Sequence, residues 1–271
     1  MGGDWNPIGC GKLVLLLFLN VHACKNLVHC GAPPVRGPDC SQIKSQHPEA
    51  TSGVYMIQPA GVPKPFKVFC EMRSDGGWTV FQKRSGGKVS FQKNWLAYKR
   101  GFGNPQSDHW LGLQKLWAIT KAGGSRWALR VDLWDFEGGS AFASTATSSW
   151  EASQAYRLGV GAYRGTAGDA IRGGLHPTAG NDQNGQGFST LDRDNDGCAP
   201  CLFGDIAVDE CSREEGRGGW WYSRCGSASL HGDWHPADNN LGWASGLHWG
   251  TWKGPAPYSA RATRMMVKAL Y

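Results

Sequence analysis

No apolar run in this chain is long enough to cross a bilayer. The stretch Leu13 to Leu19 is about seven residues against the roughly 20 that a membrane helix needs, and nothing later approaches that length. There is no block of five or six like charges, so the basic arm of a nucleic-acid binder is excluded. No N-x-[ST] acceptor occurs, so N-glycosylation is not expected. Catalytic signatures are missing too. No G-x-S-x-G elbow presents a serine, and the eight histidines show no H-E-x-x-H or other metal spacing. Gly123-Gly124 and Gly138-Gly139 follow neither a P-loop nor a strand-Gly-helix order, which leaves nucleotide binding without support. Nothing nominates an enzyme.

What is present suits a secreted globular protein. The chain has 271 residues, 41% of them hydrophobic, enough to bury a sizeable core. Trp at 14 and Gly at 39 favour short strands and irregular loops pinned by aromatic anchors over a helical bundle. The net charge of +6, from 28 basic and 22 acidic residues, leans mildly toward acidic partners such as anionic glycans, although a solvated surface explains it as well. Lys12 before the apolar run, with Val21-His22-Ala23 placing small residues two apart, reads as a secretory signal over residues 1–23. The mature protein is then expected to be soluble and extracellular. Of nine cysteines, Cys10 would leave with the signal, and an even set remains for disulfides whose connectivity the spacing does not decide.

Residues 24–38, with three prolines and two glycines, read as an irregular leader without heptads. From Gly53 onward strands are expected: GVYMIQP, PFKVFCEM and GWTVFQKR, an antiparallel meander. Phe91, Trp95 and Tyr98 are spaced four and three apart, which predicts a short amphipathic helix ended by Gly101, and a second helix follows at LGLQKLWAIT. RWALRVDLWDF predicts a strand with Leu129, Val131 and Leu133 on one face. From about Gly165 onward little regular pattern is visible, and loops are expected.

Three constellations could carry chemistry. Asp192 to Gly197, DRDNDG, fits the opening of an oxygen-cage calcium loop, but Phe203 stands where an EF-hand needs its bidentate Glu. An Asp-x-Asp turn remains, either a calcium site completed by carbonyls and water or a plain Asx turn. Cys198-Ala199-Pro200-Cys201 has oxidoreductase spacing without a βαβ context, so a structural disulfide is favoured over a redox pair or over zinc shared with Cys211 and Cys225. Trp220, Trp221, Trp234, Trp243, Trp249 and Trp252 read as core packing more readily than as a ligand pocket.

The blocks SDGGWTVFQKR (74–84), WLAYKRGFGNPQSDHWLGLQKL (95–116), GFSTLDRDND (187–196), GGWWYSRC (218–225), SLHG (229–232) and YSARATRMMVKA (258–269) resemble, in order, the signatures of the fibrinogen C-terminal domain family. Within that family the sequence is similar to the angiopoietin-like branch. The resemblance implies one α+β domain over residues 39–271, with a central antiparallel sheet, short helices and a loop-rich C-terminal subdomain that carries binding sites. It implies disulfides Cys40 to Cys70 and Cys211 to Cys225, leaving Cys198 with Cys201, and Cys24 and Cys30 paired locally or linking chains into an oligomer. It implies a structural calcium ion held by Asp194, Asp196 and carbonyls near Cys198 and Pro200. The function implied is that of a secreted, non-enzymatic ligand binding a cell-surface receptor or an extracellular matrix component. The alternative is a calcium-dependent lectin for acetylated glycans, with Tyr222, Gly226, Trp243 and Trp249 around the pocket. Departures weaken the pocket: Gly226 follows Cys225 where lectin-like members carry His, and Trp243-Ala244 replaces the Tyr-Asp pair of fibrinogen.

Overall fold

The computed structural model describes residues 35–121, 126–145, 148–151, 155–174, 180–203, 205–238, 245–254, 256 and 258–270. The segment expected to be a signal and most of the expected leader, with Cys24 and Cys30, lie outside them, as does Trp243.

In chain order the elements are β1 (Arg36–Gly37), α1 (Cys40–Gln46), β2 (Gly53–Ile57), β3 (Phe66–Arg73), β4 (Gly76–Arg84), α2 (Trp95–Arg100), β5 (Phe102–Gly103), β6 (His109–Trp110), α3 (Leu113–Lys121) and β7 (Arg126–Trp134). They continue with β8 (Ser140–Thr145), β9 (Ser148–Glu151), β10 (Arg157–Val160), β11 (Tyr163–Gly165), β12 (Cys201–Phe203), β13 (Ile206–Val208), α4 (Cys211–Glu214), β14 (Ala228–Ser229), β15 (His248–Trp249) and β16 (Ala262–Leu270). The main sheet runs β1-β2-β3-β4-β16-β7-β8-β11, with β6 attached to β4 and β5 to β6. β1 and β2 are parallel, and the other pairings are antiparallel. This is the α+β architecture that the resemblance implied, and it contains the antiparallel meander expected from the sequence pattern.

Two differences from the sequence reading have physical reasons. The helix predicted from the Phe91 spacing starts only at Trp95, because the Asn94 side chain accepts the Ala97 N–H and caps it there. Phe91 packs from the preceding loop, and its carbonyl takes the Tyr98 hydroxyl at 2.7 Å. The second difference is larger. β16, in the region read as loops, is a nine-residue strand at the middle of the sheet, between β4 and β7. Its Thr263, Met265, Val267 and Ala269 alternate into the core, a period of two that short-range reading passed over.

α1 is capped by Asp39, whose Oδ1 accepts the Ser41 and Gln42 N–H groups, and is tied to β3 by the Cys40–Cys70 disulfide. The main core continues from the sheet into an aromatic cluster of Phe91, Tyr98, Trp110, Phe188, Trp220 and Trp221. That cluster forms the floor beneath the loop-rich C-terminal region. His231 sits within it, 4.8 Å from the Trp110 ring and 5.0 Å from Trp220, with Nδ1–H donating to the Gly219 carbonyl at 2.6 Å. Burial drives its pKa down to about 3, so it is neutral. Arg84 is buried at the edge of the same cluster, over the Phe91 ring at 4.1 Å and donating to the Gly232 carbonyl at 2.8 Å.

Candidate functional site: the acidic loop and its disulfide-held hairpin

The three aspartates of DRDNDG do three different things. Asp192 Oδ1 accepts the Trp95 N–H and the Thr190 hydroxyl, both at 2.8 Å, so this carboxylate clasps the start of α2. Arg193 beside it stacks over the Trp95 ring at 4.2 Å. Asp194 is exposed and accepts the Asp196 N–H at 3.0 Å. Asp196 turns half inward, where Oδ1 accepts the Cys198 N–H and Oδ2 the Cys211 N–H, each at 2.8 Å. One carboxylate therefore spans from the acidic loop to the start of α4. Dehydration, with the Asp194 charge adding to it, pushes the Asp196 carboxyl up to about 6 despite those two donors.

This pair suits a hard cation in charge. Two neighbouring carboxylates raise each other's energy, a dication between them would remove that cost, and each carboxylate oxygen bonded to one N–H keeps a second lone pair. Of the two carbonyl residues, Cys198 is buried and Pro200 is exposed on the same loop. The next acidic group inward is Glu215, fully buried. Its carboxyl is pushed up to about 8 by burial first and by the Asp196 charge second.

The cysteines of this region form two adjoining disulfides, Cys198–Cys201 and Cys211–Cys225, with Cys198 Sγ 3.4 Å from Cys211 Sγ. Among the described residues, Cys198, Cys211 and Cys225 are the side chains whose metal-ligating atoms converge within 4.8 Å. Their sulfurs are consumed in disulfides and are not thiolate ligands. The first disulfide anchors the hairpin of β12 and β13, where Cys201 pairs with Val208 and Leu202 with Ala207. Cys201 and Val208 face inward, while Leu202 and Ile206 are each 65% exposed. Asp205 and Asp209 stand exposed beside them. Sequence reading fixed on the cysteines and passed over this hairpin, although two short apolar runs around Gly204-Asp205 are a turn signal.

The residues proposed for an acetyl pocket are not gathered on a surface. Tyr222 is fully buried and donates its hydroxyl to the Gly218 carbonyl at 2.8 Å. Trp249 is buried, its Nε1–H bonded to the Gly168 carbonyl at 3.1 Å. Gly226 has φ 103°, and the Gln183 side chain fills the space a Cβ would need. Neither ring offers a face to a ligand, and Trp243 lies outside the described residues. Trp220 and Trp221 are likewise core.

Comparisons with known proteins agree with this architecture. The family model described as "Fibrinogen beta and gamma chains, C-terminal globular domain" matches residues 36–270. Angiopoietin-4 of Homo sapiens is 40% identical over 234 residues, 86% of this chain and 42% of that protein. Angiopoietin-1 of Rattus norvegicus is 38% identical over 221 residues, 81% of this chain and 40% of its own length. The sequence thus spans about two fifths of these relatives. Among solved structures, the fibrinogen-like globe domain of human ANGPTL2 superposes with a TM-score of 0.73 at 34% identity, covering 85% of this chain and 98% of that one. Lamprey fibrin D-dimer, complexed with the peptide ligand Gly-His-Arg-Pro-amide, gives a TM-score of 0.75 at 30% identity, covering 91% of this chain and 78% of that one.

Proposed function

Because the protein belongs to the family of C-terminal globular domains found in fibrinogen beta and gamma chains, we propose that it is a secreted, non-enzymatic ligand of the angiopoietin-like kind, which docks onto a cell-surface receptor or a matrix component. The observation that carries the reading is the β12–β13 hairpin. Among the described residues the exposed large hydrophobics are Leu96, Leu202 and Ile206, and two of the three lie on this hairpin, Leu202 on the face of Ala207 and Ile206 at its tip on the face of Val208. Apolar side chains held in water by a disulfide-anchored turn, with acidic neighbours, suit a docking patch whose ordering cost is low because it is already rigid.

In this reading residues 1–23 direct secretion, and Cys24 and Cys30 pair with each other or link chains. A structural calcium ion sits between Asp194 and Asp196 with carbonyls of Cys198 and Pro200, bracing the hairpin from its base. Asp194 and Asp196 are then positioning residues for the docking face, not contacts.

The test is binding of purified protein to a panel of cultured cell lines and to immobilised extracellular matrix, comparing the native protein with a Leu202→Asp/Ile206→Asp variant. Both side chains are exposed, so the melting temperature should hold. Binding should fall about tenfold or more, the scale of losing two apolar anchors at an interface. Undiminished binding by a variant that melts normally would move the docking face elsewhere.

A further inference from the structure

Away from the acidic loop, three arginines and two carboxylates meet across β3, β7 and β16. Asp132 receives them: Arg73 Nη2 at 2.7 Å and Arg264 Nη2 at 2.9 Å on Oδ2, and Arg130 Nε at 2.7 Å on Oδ1. Arg264 Nη1 also donates to Glu71 at 2.8 Å, and Arg73 Nε lies 3.6 Å from the same carboxylate. Three cations against two anions leave one positive charge. Burial by itself would raise the Asp132 carboxyl, but Arg264, Arg130 and Arg73 hold it below the ordinary range, so Asp132 is a fixed anion that orients the guanidinium groups.

The three arginines are not equally committed. Arg264 Nε is buried, with no hydrogen-bond partner among the described residues. Arg130 is tied at Nε, and its guanidinium lies over the Phe142 ring at 4.0 Å. Its two Nη groups have no partner among the described residues, so a flat fork of donors is held in place by an ion pair on one side and a ring on the other. Beside it a cavity of about 200 Å³ is lined by Arg73, Arg130, Asp132, Trp134, Ser140 and Phe142. Trp134 and Phe142 are half-buried there, and Ser140 stands exposed at the mouth.

We infer that this cavity binds an acidic saccharide, with the Arg130 fork taking a carboxylate or sulfate oxygen pair and the Trp134 and Phe142 rings taking the apolar face of the sugar ring. A preorganised guanidinium recognises planar oxyanion pairs bidentately, which a lysine does not reproduce. At about 200 Å³ the cleft falls below the roughly 300–1,000 Å³ of pockets that enclose a whole small molecule, which suits one ring or substituent of a longer chain and not a compact ligand. The site uses no residue of the acidic loop or the hairpin, so it is independent of the docking face proposed above.

Calorimetric titration of the full-length protein tests it, with a heparin-derived tetrasaccharide, its fully desulfated counterpart and a neutral glucose tetrasaccharide as probes. The heparin tetrasaccharide should bind saturably with one-to-one stoichiometry, and the neutral probe should not bind. Retention of affinity by the desulfated probe assigns the contact to the uronate carboxylate, and its loss assigns it to sulfate. Arg130→Gln should weaken binding about tenfold or more, the worth of a charged hydrogen-bond pair. Arg130→Lys should restore only part of it. Because Arg130→Gln could also disturb Asp132, Ser140→Glu provides a second arm: at the exposed mouth it should repel the ligand with an unchanged melting temperature. Lys88→Gln, an exposed lysine outside the cavity lining, should leave affinity within about twofold. Absence of saturable binding by both acidic probes would overturn the inference. So would equal losses in Lys88→Gln and Ser140→Glu, which would mean diffuse attraction by net charge.

Discussion

At the scale of single residues, four buried titratable groups set how stability should respond to pH. Burial raises Glu215 to about 8 from an ordinary 4.5 and Asp196 to about 6 from 3.8, and it lowers His231 to about 3 and His248 to about 4 from 6.5. A carboxyl whose folded pKa is raised keeps its proton in the fold after the unfolded state has lost it, so stability falls as pH rises between the two values. A histidine whose folded pKa is lowered behaves in reverse, and stability falls as pH drops below 6.5. These slopes oppose one another between about 4.5 and 6, with buried His109, also lowered by desolvation, adding to the histidine side, so the melting temperature should change less there than either set alone would give. From about 6.5 to 8 the Glu215 slope stands alone, and stability should decline. Glu215→Gln keeps the shape and removes the proton, so its melting temperature should stay level across that range while that of the native protein falls. Thermal melts at half-unit steps check this, and parallel curves for the two proteins would mean that Glu215 does not carry the slope.

At the scale of elements, backbone contacts between neighbours are as decisive as side-chain burial. α1 lies against β4 so closely that a Cβ on Gly77 would land on the Cys40 carbonyl, while the Ser41 hydroxyl donates to the Gly77 carbonyl at 3.0 Å. Any side chain at Gly77 must push the helix off the sheet and strain the Cys40–Cys70 link with it. Gly77→Ala should therefore cost about 2 kcal/mol or more, read as a lowered denaturant midpoint. An unchanged midpoint would mean that α1 moves freely. Elements were also where sequence reading did best. β2, β3 and β4 were legible as short β-branched and aromatic runs bounded by Gly, Pro or Asp, and β7 by the alternation of Leu129, Val131 and Leu133. β16 escaped because Met266, on the face of Arg264 and Lys268, is buried in a second cluster, so the apolar run Met265-Met266-Val267 interrupts the alternation.

At the scale of the whole molecule, stabilisation is divided unevenly. The sheet half is held by a long ladder and an apolar core. The region between β11 and β16 has short strands and depends on two disulfides, the Asp196 bridge to α4 and buried aromatic rings. A calcium ion at Asp194 and Asp196 would act on this second half. Millimolar calcium should raise the melting temperature of the native protein and not that of an Asp194→Ala/Asp196→Ala variant, the response of a weak extracellular site. The gain should shrink as pH falls through about 6, because protonated Asp196 no longer offers a full charge. No calcium response at neutral pH would leave the acidic loop as a hydrogen-bonded turn.

The sequence alone showed the first strands and short helices by their local composition and pattern, and through blocks of fixed order a resemblance to its family, which implied the α+β class. It also showed that no nucleotide or hydrolase motif is present. Only the tertiary structure decided that Tyr222 and Trp249 are core, since an aromatic ring suits a pocket wall and a packed interior equally well by composition. It alone exposed Leu202 and Ile206, whose types would have suggested burial. It alone brought Arg73 and Arg264 to Asp132, across sequence separations of 59 and 132 residues. Sheet pairing sets such meetings, and the energy that drives it comes from burying the whole core and not from any segment read by itself.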